Sequence, residues 1–165
     1  MGRPGSLTVD GARPRLTLRA ARVEDVSLVR AWRNDPDAVR FSTRARTVSE
    51  AAHARWFSAA LADPRRRLWV AEEDGVPVGQ VRVDLDGDTG VFSIAVAPAA
   101  RGRGVGQEML RRALAEIERE HLVTIITAVS HPDNHASVHA FERVGFRRRG
   151  ASDGGFIVLE LRLGS

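Results

Sequence analysis

Apolar positions along the chain switch between a period of two and a period near three and a half, and each switch marks an element. Leu16 to Ala20 alternates as a short strand. Val23, Val26, Val29 and Trp32 then recur at helical spacing, with Glu24 and Asp25 favouring the helix N-terminus and Asn34-Asp35-Pro36 stopping it. A loop over Arg40 to Val48 leads to a second helix. Ser49 is its N-cap, Ala52, Trp56, Ala60 and Leu61 form its apolar face, and Asp63-Pro64 ends it. Leu68 to Glu72, Val78 to Leu85 and Val91 to Val96 read as three antiparallel strands joined by tight turns.

A glycine loop follows, then a helix with Leu110, Ala113, Leu114 and Ile117 facing inward. Leu122 to Val129 is nearly all apolar and β-branched, the pattern of a strand covered on both faces. The strand, helix, strand passage predicts a parallel crossover. A short helix over 136–143 and strands over 146–149 and 156–163 close the chain. The order βααβββαβαββ predicts a single layered α/β domain over 15–165, preceded by a flexible arm over 1–14.

The densest chemical signal is Arg101-Gly102-Arg103-Gly104-Val105-Gly106-Gln107, between a strand and a helix start. That arrangement aims free backbone N–H groups at a phosphate, and glycine lets the backbone approach closely. Arg101 and Arg103 add forked donors suited to phosphate. The loop follows Val96-Ala97-Pro98, and farther on come Asn134-His135-Ala136-Ser137 and Phe141-Glu142-Arg143-Val144-Gly145-Phe146.

In these ordered segments the chain resembles the GNAT N-acetyltransferase superfamily, whose cofactor loop reads Arg/Gln-x-x-Gly-x-Gly/Ala after a strand ending in Val-x-Pro. The resemblance covers about residues 16 to 163. It implies a mixed, mostly antiparallel sheet with a splayed parallel pair in the middle and helices on both faces. It implies acetyl-CoA as cofactor, bound by Ile94, Ala95, Val96, Arg101, Gly102, Arg103, Gly104, Val105, Gly106, Gln107, Asn134, Ser137 and Phe141. It also implies direct transfer to an amine without an acyl-enzyme. The Val96 N–H would polarise the thioester oxygen at a point where the strand bulges away from its neighbour.

One departure is clear. Phe141 stands where the family usually has a tyrosine acid, and the chain contains no tyrosine. Ser137 is the nearest hydroxyl on the implied cofactor side, so it is the candidate donor, unless the thiolate leaves unassisted. For the base, His53, Glu50, Glu72, Glu73 and Asp84 are open. His53 shares a helix face with Trp56 and Phe57, and an imidazole suits proton transfer near neutrality, although a structural histidine fits the same pattern.

Composition narrows the partners. The chain has 165 residues and no cysteine, which removes disulfides, thiol nucleophiles and thiolate metal sites. All 25 basic residues are arginine, which removes Schiff-base chemistry. With no Lys, Tyr or Cys to titrate, the sequence pI of about 11.1 overstates a net charge of only +4. The arginines are scattered among 21 acidic residues, so no nucleic-acid partner is expected. No apolar run approaches the ~18 residues of a membrane span, and a cytoplasmic protein is expected. His135 and His139 have ligand-like spacing near Asp133, but Pro132 separates them from His131 and no metal is expected.

The acceptor is expected to be a small-molecule amine. Trp32 to Arg40 and Glu50 to Phe57 resemble acetyltransferases acting on nucleotide-linked amino sugars, and less specifically those acting on N-termini of ribosomal proteins. That resemblance implies Trp32, Arg33, Arg40, His53 and Trp56 at the acceptor, with Trp69 a further candidate for stacking and Arg33 and Arg40 facing a phosphate. A non-catalytic acyl-CoA-binding module and a homodimer both remain open.

Overall fold

The three predicted central strands form a meander because two tight turns join them, at Asp74-Gly75 and Asp86-Gly87-Asp88, with Gly75 and Gly87 at positive φ. In the computed structural model, which describes residues 14–164, these strands are β2 (Arg66–Glu73), β3 (Val76–Asp86) and β4 (Thr89–Val96). The arm expected over 1–14 lies outside the described residues, apart from Pro14. β1 (Leu16–Ala20) extends the meander at one edge. β5 (Ile125–Ser130), β6 (Arg147–Ala151) and β7 (Ile157–Arg162) extend it at the other, giving the order β1-β2-β3-β4-β5-β7-β6. β4 and β5 form the one parallel pair, and the other five pairings are antiparallel.

The helices lie on both faces. α4 (Val105–Arg119) turns Val105, Met109, Leu110, Ala113, Leu114 and Ile117 into the main core, where α5 (His135–Arg143) adds Phe141. α1 (Val26–Arg33) and α3 (Glu50–Ala62) enclose a smaller core of Val29, Trp32, Phe57, Ala60, Leu68 and Val70 on the opposite face. Asp25, before α1, accepts two 2.8 Å hydrogen bonds from Arg19, which also donates to Glu72 at 2.7 Å. This network ties β1, β2 and the start of α1 together.

Four sequence expectations change. Asn34-Asp35-Pro36 does end α1, but the same residues start a further helix, α2 (Pro36–Phe41). Asp35 caps it by accepting from the Ala38 N–H, and Pro36 occupies the first turn, where a missing N–H costs nothing. Val23, expected in the apolar stripe, stands in a 3-10 turn and is 71% exposed. The inward face of α3 is His53, Phe57 and Ala60, rotated by one position from the expected one. β5 is covered on one face only. Ile126, Ala128 and Ser130 are buried, whereas on the other face Ile125 and Thr127 are half-buried and Val129 is exposed.

β3 runs close beneath α4 at Gly79. A Cβ there would stand 2.6 Å from the Ala95 carbonyl oxygen and 2.7 Å from Met109 Cε. Gly79→Ala is therefore expected to destabilise the fold by about 1–3 kcal/mol, the usual cost of overpacking, as read from urea unfolding.

Candidate active site

The candidate site forms where β4 and β5 part. Their pairing runs from Thr89/Ile125 to Phe92/Ala128 and stops there. Beyond that point β4 stays in register with β3 as far as Val96, and β5 stays in register with β7 as far as Ser130. Ile94, Ala95 and Val96 thus border a gap in the sheet. The Ala97 N–H donates to Val78 on β3 at 2.8 Å. By strand alternation, the Val96 N–H and C=O then point away from β3 and into the gap. The implied bulge in β4 is absent, since its register against β3 is unbroken. Loss of the β5 partner frees the amide without one.

The N-terminus of α4 stands beside this gap. Gly102 and Gly104 have φ of 78° and 76°, a left-handed geometry that glycine adopts without strain, and Gly104 is the N-cap. Glu108 is the first residue whose N–H reaches back along the helix, to the Gly104 carbonyl at 3.2 Å. The amides of Val105, Gly106 and Gln107 are left without helix partners, which makes them anion donors. Gly106 lets the helix approach the strand, because a Cβ there would sit 3.3 Å from Val96 Cγ2. A groove of about 670 Å³ shares Gly104, Val105 and Gln107, but its other lining residues, Arg15, Glu73 and Arg111 among them, belong to neither β4 nor β5.

Both loop arginines are engaged with carboxylates. Arg103 Nη2 donates to Glu73 at 2.8 Å. Arg101 donates to the Val96 carbonyl at 3.2 Å and to Asp35 at 2.8 Å, so one guanidinium joins the strand end to the cap of α2. On the α5 side, Asn134 caps the helix by accepting from the Ser137 N–H at 3.2 Å. Ser137 Oγ lies 2.9 Å from Ser130 Oγ. Ser130 escaped the sequence reading. Its signal is a hydroxyl at the third inward position of β5, after Ile126 and Ala128. Phe141 is buried and packs edge-on against Phe146 at 5.0 Å, so the position of the missing tyrosine belongs to the core.

The residues expected at the acceptor divide. Trp32 is buried in the smaller core, and Arg40 is exposed, stacked on Phe41 at 4.4 Å. Trp56 is half-buried against the sheet. Trp69 packs on the other face, with the main core. Arg33 is half-buried and has no hydrogen bond or ion pair to any described residue. His53 is 3% exposed, with Trp56 and Phe57 each 5.7 Å from its ring. Its Nε2 has no partner among the described residues. Of the carboxylates considered as bases, Glu72 and Glu73 are paired to Arg19 and Arg103, and Asp84 lies between Arg66 and Arg82. Two of the three histidines weighed as metal ligands, His131 and His139, hold internal contacts. Arg143 donates to His139 at 3.0 Å, and the Asp133 N–H donates to His131 at 3.1 Å.

A layered sheet that opens between two parallel strands beside a glycine-capped helix defines a class, the acyl-CoA-dependent acetyltransferases. Residues 15–147 match the model of the acetyltransferase (GNAT) domain family, and the chain belongs to that family. Acetyl-CoA is the cosubstrate of this family. The chain is 40% identical over 86 residues to L-2,4-diaminobutyric acid acetyltransferase of Nocardia farcinica (strain IFM 10152). That match spans 50% of this chain and 44% of the relative's length, less than half of it.

Solved structures share the fold. A domain from Methanocaldococcus jannaschii DSM 2661 superposes with TM-score 0.81 at 20% identity, covering 92% of this chain and 100% of that one. An aminoglycoside acetyltransferase in complex with coenzyme A and kanamycin superposes with TM-score 0.76 at 18% identity, covering 90% and 95%. No helix among the described residues is long and apolar enough to cross a membrane.

Burial holds the His53 imidazole below its ordinary pKa, a Val26 backbone hydrogen bond opposes this, and the charges of Arg30 and Arg33 add to the lowering. The unfolded chain therefore binds a proton at His53 more readily than the native one. Stability should be full above about pH 6.5 and decline as pH falls below it. The melting temperature should drop on acidification from pH 7.5 to 5.5, and by less in His53→Leu.

Proposed function

We propose that this chain moves an acetyl group from acetyl-CoA to the primary amine of a small molecule, by direct attack in a ternary complex. The gap between β4 and β5 beside the α4 N-terminus supports this reading above all, since it offers a strand amide and helix amides to one ligand. The pyrophosphate would lie on the amides of Gly102 to Gln107. Arg101 and Arg103 would exchange their carboxylates for phosphate oxygens. The acetyl-pantetheine arm would run along Ile94, Ala95 and Val96, with Asn134, Ser137 and the Phe141 side of α5 across the gap.

In the reaction the amine nitrogen attacks the thioester carbonyl. A C–N bond forms, and the oxygen gains charge that the Val96 N–H stabilises. The C–S bond then breaks, and the thiolate leaves. The amine proton passes to His53, directly or through water; burial lowers its pKa, which keeps the ring neutral near pH 7 while making it a weaker base. The thiolate is a good leaving group and takes its proton from Ser137 or from water. The relative's name is a reason to test a diamino acid as acceptor alongside the nucleotide-linked amino sugar.

Gly104→Asp or Gly106→Asp is expected to abolish acetyl-CoA binding by calorimetry while the protein stays folded. The first strains a left-handed cap, the second crowds Val96, and both place a carboxylate against phosphate. Wild-type affinity in a folded mutant would remove the loop from the cofactor site.

Ser137→Ala should slow turnover by less than the ~10²–10⁴-fold that losing a general acid costs. A larger fall at unchanged cofactor affinity would make Ser137 the donor. His53→Ala should lower kcat most near neutral pH, with relief as pH rises and free amine accumulates, and an unchanged pH–rate profile would return His53 to the core. Acetylation of peptide N-termini without turnover of any small amine would overturn the acceptor class. Acetyl-CoA binding with no acceptor of any kind would leave a binding module.

A further inference from the structure

The two lips of the gap differ in chemistry on the sheet face that carries α4. Phe92 and Ala128 form the last pair between β4 and β5. Two residues farther along are Ile94 and Ser130, which face the same side of the sheet as that pair but stand on strands that have parted. Ile94 and Val96 lie against the start of α4, since a Cβ on Gly106 would sit 3.8 Å from Ile94 Cδ1 and 3.3 Å from Val96 Cγ2. That lip is apolar. On the other lip, Ser130 is 5% exposed, and its Oγ lies 2.9 Å from Ser137 Oγ in the first turn of α5. One helix turn on from Ser137 is Phe141, which is buried against Phe146 and has no proton to share.

Distance alone permits either hydroxyl to donate, and burial decides between them. Among the described residues neither Oγ has a second donor or acceptor that would take up the Ser130 hydrogen. Ser130 is enclosed, and a buried O–H without an acceptor is costly, whereas an unused lone pair costs less. The Ser130 O–H therefore donates and Ser137 Oγ accepts. Ser137 is half-buried, and its own hydrogen is left over. Asn134 accepts from its backbone N–H at 3.2 Å and holds it at the helix start, where the helix dipole favours negative charge. A hydroxyl that accepts one hydrogen bond donates the next more strongly.

We propose that Ser130 is a positioning residue, which turns the Ser137 hydrogen toward the gap so that it donates to the coenzyme A sulfur as the thiolate leaves. This rests on the transferase reading given above. When the C–S bond breaks, its electron pair goes to sulfur, and the Ser137 hydrogen bond stabilises that charge. Both serine protons stay on their oxygens, and the thiolate takes its proton later from water. Without Ser130, the Ser137 hydroxyl is free to turn to the helix backbone, the usual resort of a serine in a helix. The pair supplies by hydrogen bonding part of what a tyrosine acid supplies by proton transfer.

Titration of bound coenzyme A tests this without turnover. A thiolate absorbs in the ultraviolet where a thiol does not, and a chain with no cysteine and no tyrosine adds no titrating signal of its own. The bound thiol should ionise at lower pH than free coenzyme A, because the Ser137 donor favours the charged form. In Ser130→Ala its apparent pKa should rise by about 0.5 to 1 pH unit, the range of one hydrogen bond, while the Kd of coenzyme A at neutral pH stays within about twofold of wild type. The same substitution in a Ser137→Ala background should move the pKa no further. With acetyl-CoA, kcat in Ser130→Ala should fall about 3- to 10-fold with KM unchanged.

A wild-type titration in folded Ser130→Ala overturns the inference. So does an equal shift in the Ser137→Ala background, which marks a role in packing alone. Both results leave the transferase reading standing. If the titration shifts as expected but no amine is acetylated, the serine pair holds and the transferase reading falls. Should Ser130→Ala not fold, Ser130→Thr and Ser130→Val carry the same comparison, since they differ only in the hydroxyl. The bound thiol should then ionise at higher pH in Ser130→Val, and equal titrations overturn the inference.

Discussion

The structure turns on the short pairing of β4 with β5. Four residue pairs join the two strands, after which each follows its other neighbour. A continuous sheet would have spent the Val96 amide on a ladder bond. The opening leaves that group free in a place where the strand is still held rigidly by β3. Backbone donors so placed do not need to reorganise when a ligand or a developing charge arrives. The glycines on either side serve the same geometry. Gly79 lets β3 lie beneath Met109, and Gly106 lets the start of α4 rest against Val96 and Ile94.

Polar contacts then join the two halves of the site. Arg101 holds the Val96 carbonyl with its Nε and Asp35 with its Nη2, so the glycine loop and the α2 cap share one side chain. Asn34 bonds the Val48 backbone twice, at 2.8 and 2.9 Å, which fixes the segment between α2 and α3. At the end of α2, Phe41 meets His131 after β5, and His131 meets Phe156 before β7, each at 5.4 Å. α2 and the segment after it are therefore anchored to both strands that border the gap.

The two sheet faces carry different work. The α4 face is almost wholly apolar, and its packing positions the glycine loop before α4. The α3 face mixes a small apolar core with Arg66, Arg82, Asp84, Ser93 and Trp56, and leaves Val129 of β5 exposed. Polar groups persist there because that face is only partly closed to water. The uncompensated Arg33 is the point at which internal pairing runs out.

Much of this was legible along the chain, for a local reason. The six strands of the expected order other than β5 needed only changes of one or two residues at their ends, and the inward stripe of α4 was read correctly apart from Val105 and Met109. Period, caps and turn glycines act between neighbours in sequence, so they are written there. The glycine loop and Asn134-x-x-Ser137 were readable for the same reason. α2 was missed because one tripeptide, Asn34-Asp35-Pro36, both ends a helix and starts another.

What the tertiary structure decided involves distant partners. Arg101 and Asp35 are 66 residues apart, and no local rule foretells that an arginine of the glycine loop meets a helix cap. Ser130 found Ser137 because β5 and α5 pack together, and Phe141 became core because Phe146 folds back on it. Arg82 and Trp56 come from β3 and α3, and only their packing brings the guanidinium over the ring. Local periodicity selects elements through short-range sterics and burial, whereas pairing of charges and opening of a sheet depend on three-dimensional distance, which the chain order does not contain.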